Sequence, residues 1–200
     1  MRDKKQNIRV RTLLQREGLS ASDLLIRSRL IKDKVLLLST YLESNSVMLY
    51  SPVGNEVSTE GIRDHALSQG KKVFYPRLGK GEELTSVRIK FCDDLRPGRY
   101  GILEPVGDEI MTERDQEALV VFVPGLAFDL RGNRLGRGKG SYDRALKRLG
   151  GCPRVVALAY EFQIVEELPV EEWDEKVHQI ITEKRIIDCP NVVTQPDCIL

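Results

Sequence analysis

Two apolar runs, separated by a glycine-rich loop and a helical segment, constrain the fold of this chain more than any other feature. The runs occupy residues 119–123 and 154–159, and the helix is predicted over residues 141–149. Strand, helix and strand in this order form a βαβ unit, whose two strands are parallel and joined by a right-handed crossover. The chain is therefore expected to contain a parallel sheet.

A second unit of the same kind is predicted upstream. Its strands lie at residues 47–50 and 73–76, with a helix over residues 58–69 between them. Further predicted elements are helices at 3–17 and 21–42 and strands at 84–91 and 177–182, with an irregular stretch at 96–105. Together they predict an α/β fold: one three-layer sandwich with a mostly parallel sheet, spanning residues 1–200 as one domain with a loose tail after about residue 190.

Charge and cysteine usage exclude several classes of protein. The net charge of +1 argues against a general nucleic-acid-binding domain, which is normally strongly basic. The four cysteines form no Cys-x-x-Cys pair, so a zinc site or a disulfide framework is not expected. No secretory signal or membrane-length apolar run is recognisable. We expect a cytoplasmic monomer that acts on small molecules, without a nucleic-acid or membrane partner.

The loop before the predicted helix has the composition of an anion site. Residues 131–148 contain seven Lys or Arg and one acid, Asp143, and four glycines lie among the cations. Glycine-rich backbone leading into a helix N-terminus presents N–H groups to phosphate. The loop departs from the Walker pattern, since Asn133 replaces its first glycine and Gly140 its Ser or Thr, and from Gly-x-Gly-x-x-Gly, since Ser141 replaces the last glycine. A solvated loop or an RNA-contacting segment remains an alternative on composition alone.

A longer pattern around this loop resembles a known family. The run Val-Pro-Gly-Leu-Ala-Phe-Asp at 123–129, followed by Gly-Asn-Arg-Leu-Gly-Arg-Gly-Lys-Gly-Ser-Tyr-Asp-Arg at 132–144, is similar to the signature of 5-formyltetrahydrofolate cyclo-ligases, also called methenyltetrahydrofolate synthetases. The chain departs from this signature at Ser141, where the family usually has a second aromatic residue. The irregular stretch at 96–105 is similar to the family's Gly-x-x-Gly-Ile-x-Glu-Pro.

The resemblance implies an ATP- and Mg²⁺-dependent ligase that converts 5-formyltetrahydrofolate into 5,10-methenyltetrahydrofolate. It implies that Lys139 and Arg137 are catalytic cations and that Asp143 and Asp174 hold magnesium. The residues implied to bind ATP are Lys5, Arg9, Arg134, Leu135, Gly136, Arg137, Gly138, Lys139, Gly140, Ser141 and Tyr142. Those implied to bind the folate are Glu56, Tyr100, Arg137, Gly138, Lys139, Gly140 and Ser141.

Several of these residues also have a purely structural interpretation. Lys5 and Arg9 are four residues apart and share a helix face that could simply be solvated, and the loop carboxylate of Glu56 could be solvated too. Tyr100 either lies against a flat heterocycle or pins its loop to the core. Arg134 could serve only in a structural salt bridge.

Three residues are predicted to have no part in the chemistry. Asp129 is expected to brace the loop, and His65 is expected on a helix surface. His178 stands where the family often has an aspartate, and we place it outside the site. Two other functions remain open: a phosphate-ligand isomerase or transferase of the related sugar-phosphate isomerase and CoA-transferase fold, and a non-enzymatic module that binds RNA phosphates.

Overall fold

The computed structural model describes residues 2–79, 83–98, 101–150 and 153–190 of the chain. The helices in these residues are α1 (Arg2–Glu17), α2 (Ala21–Val35), α3 (Ser39–Leu42), α4 (Glu60–Ser68) and α5 (Ser141–Leu149). The strands are β1 (Ser46–Met48), β2 (Lys72–Leu78), β3 (Leu84–Ile89), β4 (Leu95–Pro97), β5 (Leu103–Pro105), β6 (Leu119–Val123), β7 (Ala127–Asp129), β8 (Arg134–Leu135), β9 (Arg154–Leu158), β10 (Ile164–Val165), β11 (Gln179–Ile181) and β12 (Ile186–Asp188).

The large sheet confirms the predicted α/β class. Seven strands pair in the order β12-β11-β9-β6-β1-β2-β3. The pairs from β11 through β9, β6 and β1 to β2 are parallel, whereas β12 and β3 lie antiparallel at the two edges. The sheet is therefore mostly parallel, as predicted from the two βαβ units.

Apolar side chains fill both faces of this sheet. Along β6, Val120 and Phe122 join the cluster that contains Ile31 of α2 and Ile62 of α4. The alternate residues of β6 join the opposite cluster, with Leu146 of α5. A parallel strand covered on both sides must be apolar at every position, and all five residues of β6 are buried. Helix, sheet and helix thus form three layers.

The strand order reverses between β1 and β6. From β1 the chain passes through α4 to β2 on one side, whereas from β6 it passes through α5 to β9 on the other. The apolar residues of α4 and those of α5 join different core clusters, which shows that the two helices lie on opposite faces of the sheet. This arrangement opens a crevice at the carboxyl ends of β1 and β6, where open α/β sheets bind ligands.

The predicted helix over 21–42 was too long. A capping box begins α2, in which Ser20 Oγ accepts a hydrogen bond from the Asp23 N–H at 3.1 Å. The helix ends at Val35, and Leu38 adopts an extended conformation that buries its side chain before α3 begins. Helical spacing over 21–42 predicts Leu25 and Leu42 on the apolar core face of this helix, but they are 73% and 57% exposed. A turn between α2 and α3 buries Leu38, and the helical spacing of the apolar residues does not indicate that turn.

Some short strands were also missed. Residues 96–105, predicted to be irregular, contribute to the two-stranded sheet of β4 and β5. The loop between β6 and α5 contains β7 and β8, which form a small sheet with β10, and β12 extends the large sheet beyond β11. Each of these strands has two or three residues, too few to show a period-two pattern. The predicted loose tail after residue 190 lies outside the described residues.

Candidate active site

A cavity of about 870 Å³ lies at the crevice between β1 and β6. Predicted site residues that line it are Lys5, Arg9, Glu56, Arg134, Leu135, Gly136, Arg137, Gly138, Lys139, Gly140, Ser141, Tyr142, Asp143 and Asp174. The remaining predicted contact, Tyr100, lies outside the described residues. The fold therefore brings to one cavity residues from both ends of the chain and from the glycine-rich loop.

The start of the glycine-rich loop is held by one buried carboxylate. Asp129, at the end of β7, accepts hydrogen bonds at Oδ1 from the backbone N–H groups of Arg131 and Asn133, at 3.0 and 3.1 Å. Its Oδ2 accepts from Asn133 Nδ2 at 2.8 Å and from the Leu168 N–H at 3.0 Å. These four bonds satisfy the carboxylate and fix the β7–β8 turn, which confirms the bracing role predicted for Asp129.

Gly132 completes this turn because no side chain fits there. Its φ is +83°, and an added Cβ would lie 2.4 Å from the carbonyl oxygen of Val177 and 3.0 Å from Cβ of Cys189. The close approach connects the loop to the segment that enters β11. The exposed part of the loop thus extends from a rigid base.

The exposed part of the loop leads directly into α5. Gly140 is the N-cap residue of this nine-residue helix and makes no side-chain cap, so the first helical turn keeps its open N–H groups toward the cavity. Lys139 is exposed, and its carbonyl oxygen accepts a hydrogen bond from Arg144 Nη1 at 2.8 Å. Helix N-terminus and ammonium together present positive charge to one part of the cavity.

Arg134 and Asp143 form a close pair beneath the loop. Arg134 Nη2 donates to Asp143 Oδ1 at 2.6 Å, and the guanidinium lies 5.6 Å from the ring centroid of Tyr142. The Arg134 side chain is only 3% exposed, and its Nε has no hydrogen-bond partner. Burial raises the pKa of Tyr142 well above its ordinary value, so this phenol stays protonated. The structural salt bridge considered for Arg134 is present, at the cavity wall.

Helix α1 contributes two cations from the other end of the chain. Arg9 Nε donates to the carbonyl oxygen of Gly136 at 3.0 Å. Lys5, one turn earlier, lies 3.5 Å from a carboxylate oxygen of Glu171 and 3.3 Å from one of Asp174. The predicted helix face is therefore directed into the cavity rather than into solvent. The Glu175 N–H, next to Asp174 in the chain, lies 3.4 Å from Asp143 Oδ1, and both aspartates line the cavity.

Glu56 lies between two arginines. Arg137 Nη2 approaches its Oε1 at 3.3 Å from the outer side, and Arg16 Nη1 approaches the same oxygen at 3.5 Å from within the protein. Its Oε2 accepts the Val53 N–H at 3.0 Å. The side chain is 8% exposed, which contradicts the solvated interpretation. Burial lowers the pKa of Arg16, and the charge of Glu56 opposes this shift.

Arg16, Glu171 and Trp173 are among the residues at or beside the site that sequence reasoning missed. Arg16 is seven residues after Arg9, close to two helical turns, and this spacing would have placed both on one face. Glu171 and Trp173 line the cavity beside the predicted Asp174, and Trp173 is 63% exposed. A single tryptophan within an acidic run was the available signal.

Both histidines lie away from the cavity lining. His65 is on α4, where its Nδ1 lies 2.8 Å from the hydroxyl of Tyr41. His178 is buried, and its Nδ1 accepts the Val155 N–H at 3.0 Å. Burial, with a smaller contribution from Arg154, lowers the pKa of His178 to about 4. Neither residue is placed for acid–base work in the cavity.

Within the described residues, no group of three or more His, Cys, Asp or Glu side chains is arranged to hold a metal ion. Magnesium does not need such a group, because it commonly binds one or two carboxylates, several waters and substrate phosphates. Asp143 and Asp174 both line the cavity and supply the oxygen ligands that this ion prefers. The donor set therefore fits magnesium bound together with a phosphate ligand.

The fold and the cavity define an α/β protein with a strongly cationic ligand site at the switch point of its sheet. The profile of the 5-formyltetrahydrofolate cyclo-ligase family matches residues 1–183. The chain belongs to this family and is an enzyme.

In the described residues, no helix is both long enough and apolar enough to span a bilayer.

Individual relatives agree with this assignment. The chain is 33% identical over 196 residues to the 5-formyltetrahydrofolate cyclo-ligase of Mus musculus, covering 90% of this chain and 93% of that one. It is 30% identical over 181 residues to the enzyme of that name from Haemophilus influenzae, covering 89% and 97%. The structure of Aquifex aeolicus 5,10-methenyltetrahydrofolate synthetase superposes with a TM-score of 0.81 at 34% identity, covering 94% and 93%.

Proposed function

We propose that this enzyme uses ATP and Mg²⁺ to convert 5-formyltetrahydrofolate into 5,10-methenyltetrahydrofolate, a reaction of one-carbon metabolism, with release of ADP and phosphate. The observation that carries this proposal is the convergence of one cationic loop, two cations of α1 and two carboxylates on a cavity that also contains Glu56. Phosphoryl transfer depends on positioning and on cations around the transferred group, which is what this cavity offers.

In the proposed reaction the formyl oxygen attacks the γ-phosphorus of ATP and ADP leaves with the bonding electron pair. The neighbouring N10 then attacks the activated formyl carbon and loses its proton, and phosphate departs with the electrons of the C–O bond. No covalent enzyme intermediate is needed, so the absence of a histidine from the cavity lining in the described residues is compatible with the reaction.

Each group of residues has a proposed role in this scheme. Lys5 and Arg9 bind the ATP phosphates together with the loop of residues 134–142. Lys139 and Arg137 stabilise the negative charge on the phosphoryl group while it is transferred. Magnesium, when bound, would neutralise phosphate charge, with Asp143 and Asp174 as its protein ligands.

Glu56 would accept hydrogen bonds from N–H groups of the pterin ring, and the loop of residues 137–141 would contact the same substrate. The burial of the Glu56 side chain favours such a role. A carboxylate that is shielded from water discriminates strongly between ligands that can and cannot donate a hydrogen bond to it. We further propose that residues 1–200 act as one domain, as a cytoplasmic monomer whose ligands are reduced folate and ATP. Membership in an enzyme family favours this function over an RNA-binding module.

An absorbance assay with purified protein, 5-formyltetrahydrofolate, ATP and Mg²⁺ tests the proposal. The methenyl product has an extended conjugated amidinium that absorbs where the substrate does not, so its band should grow with time. Parallel reactions that lack ATP, or contain a chelator, should stay flat. A flat trace in the complete reaction, with circular dichroism showing folded protein, would overturn the proposed function and leave the cavity as a phosphate site for another substrate.

A further inference from the structure

The two arginines around Glu56 differ in their surroundings. Arg137 belongs to the glycine-rich loop, its side chain is 52% exposed, and it also lies 3.4 Å from the carbonyl oxygen of Val53. Arg16 belongs to the last turn of α1, and its side chain is 4% exposed. One carboxylate oxygen therefore has an exposed cation on its cavity side and a buried cation behind it.

Arg16 is fixed in place more firmly than an ordinary helix-end arginine. Its carbonyl oxygen accepts a hydrogen bond from Asn55 Nδ2 at 3.0 Å, which ties the end of α1 to the loop that carries Glu56. Its Nη1 is buried and has no hydrogen-bond partner, so the charge of Glu56 at 3.5 Å is its compensation. A buried charge without a counterion is strongly unfavourable, so the Arg16 guanidinium requires the charge of Glu56.

The contrast gives the two cations different tasks. Under the proposed function, Arg137 serves the phosphates of ATP and must be able to release Glu56, which its exposure and its position next to Gly136 and Gly138 allow. Arg16 lacks this freedom. Glu56 thus keeps a positive charge behind it whichever way Arg137 points.

We propose that Arg16 is a positioning residue, which holds the Glu56 carboxylate in place and directed into the cavity so that it can accept hydrogen bonds from the folate ring. This role rests on the proposed function. Because Arg16 acts only through Glu56 and does not line the cavity, its removal should affect the folate and leave ATP almost untouched.

The test compares wild type, Arg16→Met, Glu56→Gln and the double variant, with Arg16→Lys and Arg11→Met as references. Arg11 is an exposed cation of the same helix and controls for the loss of one charge. We expect Arg16→Met to raise the folate KM about tenfold, with the ATP KM within about twofold of wild type. Arg16→Lys should recover part of this loss and Arg11→Met should cause none. In the Glu56→Gln background, Arg16→Met should add less than about twofold.

An equal rise in both KM values, or an equal effect in both Glu56 backgrounds, would overturn the positioning role. If Arg16→Met does not fold, the double variant, which removes both charges, and Arg16→Lys carry the comparison. If wild type itself does not act on folate, the proposed function fails separately. Urea unfolding of the four proteins then decides: non-additive losses support the Arg16–Glu56 pair, and additive losses overturn it.

Discussion

Arg134 Nη2 donates a hydrogen bond to Asp143 Oδ1 at 2.6 Å, so the proposed metal ligand is paired with the most buried cation of the cavity wall. The pair connects β8 to the first turn of α5. A carboxylate held in this way has a fixed orientation, which suits an oxygen ligand that must meet a metal ion and phosphates together.

Asp143→Asn should raise the Mg²⁺ concentration for half-maximal rate by about tenfold, because the amide retains the shape of the side chain but loses the charge that attracts the ion. It should also lower the free energy of unfolding by about 2 kcal/mol, since Arg134 loses a charged acceptor. A magnesium titration and a urea titration measure the two effects. Asp108→Asn is the control, because Asp108 is 99% exposed. If the magnesium titration of Asp143→Asn is unchanged, Asp143 is not a ligand and the metal binds to other residues.

Lys139→Ala should reduce kcat by about 10²- to 10³-fold, because a cation that stabilises negative charge on the transferred phosphoryl group acts mainly in the transition state. The free energy of unfolding should change by less than about 0.5 kcal/mol, since the side chain is exposed. Lys147→Ala provides a matched control on the exposed last turn of α5. Turnover of Lys139→Ala at the wild-type rate would show that the loop assignment is wrong.

Gly132→Ala should lower the free energy of unfolding by about 3 kcal/mol, because the new methyl group meets the Val177 carbonyl and the residue keeps a left-handed φ. Gly70→Ala separates these causes. Its φ is +72° but nothing lies within 4 Å of the added Cβ, so it should cost about 1 kcal/mol. Urea unfolding measures both losses. Equal losses would mean that the contact under the loop is not tight.

Stability should fall as the pH is lowered from 6.5 to 4 because of His178. The pKa of His178 is about 4 in the folded state and 6.5 in the unfolded state. Between these values the imidazole is protonated in the unfolded state and neutral in the folded state. The stabilising effect of the neutral ring is complete above pH 6.5, and about 3 kcal/mol of it is lost by pH 4. Urea titrations at several pH values should show a shallower dependence for His178→Gln, and parallel curves for the two proteins would refute the assignment.

The apolar runs made the large sheet predictable. The residues of β6 are apolar without interruption because both faces of the strand are buried, and the helix predicted over 141–149 is α5 with the same bounds. The helix over 21–42 failed at Leu38, where a turn buries one leucine and leaves Leu37 79% exposed. Periodicity reports which face of a helix is apolar, but it does not show where packing against neighbours ends that helix.

The sequence by itself determined the chemistry of the loop and the class of the fold, because local composition fixes which segments bury both faces and which carry charge. Only the tertiary structure decided which charges meet. Lys5 reaches Asp174 and Arg16 reaches Glu56 because the strand order places the β1 and β6 loops side by side and α1 packs against the small sheet through Ile8. Ion pairs between such distant segments depend on the packing of whole elements, and no local pattern contains that information.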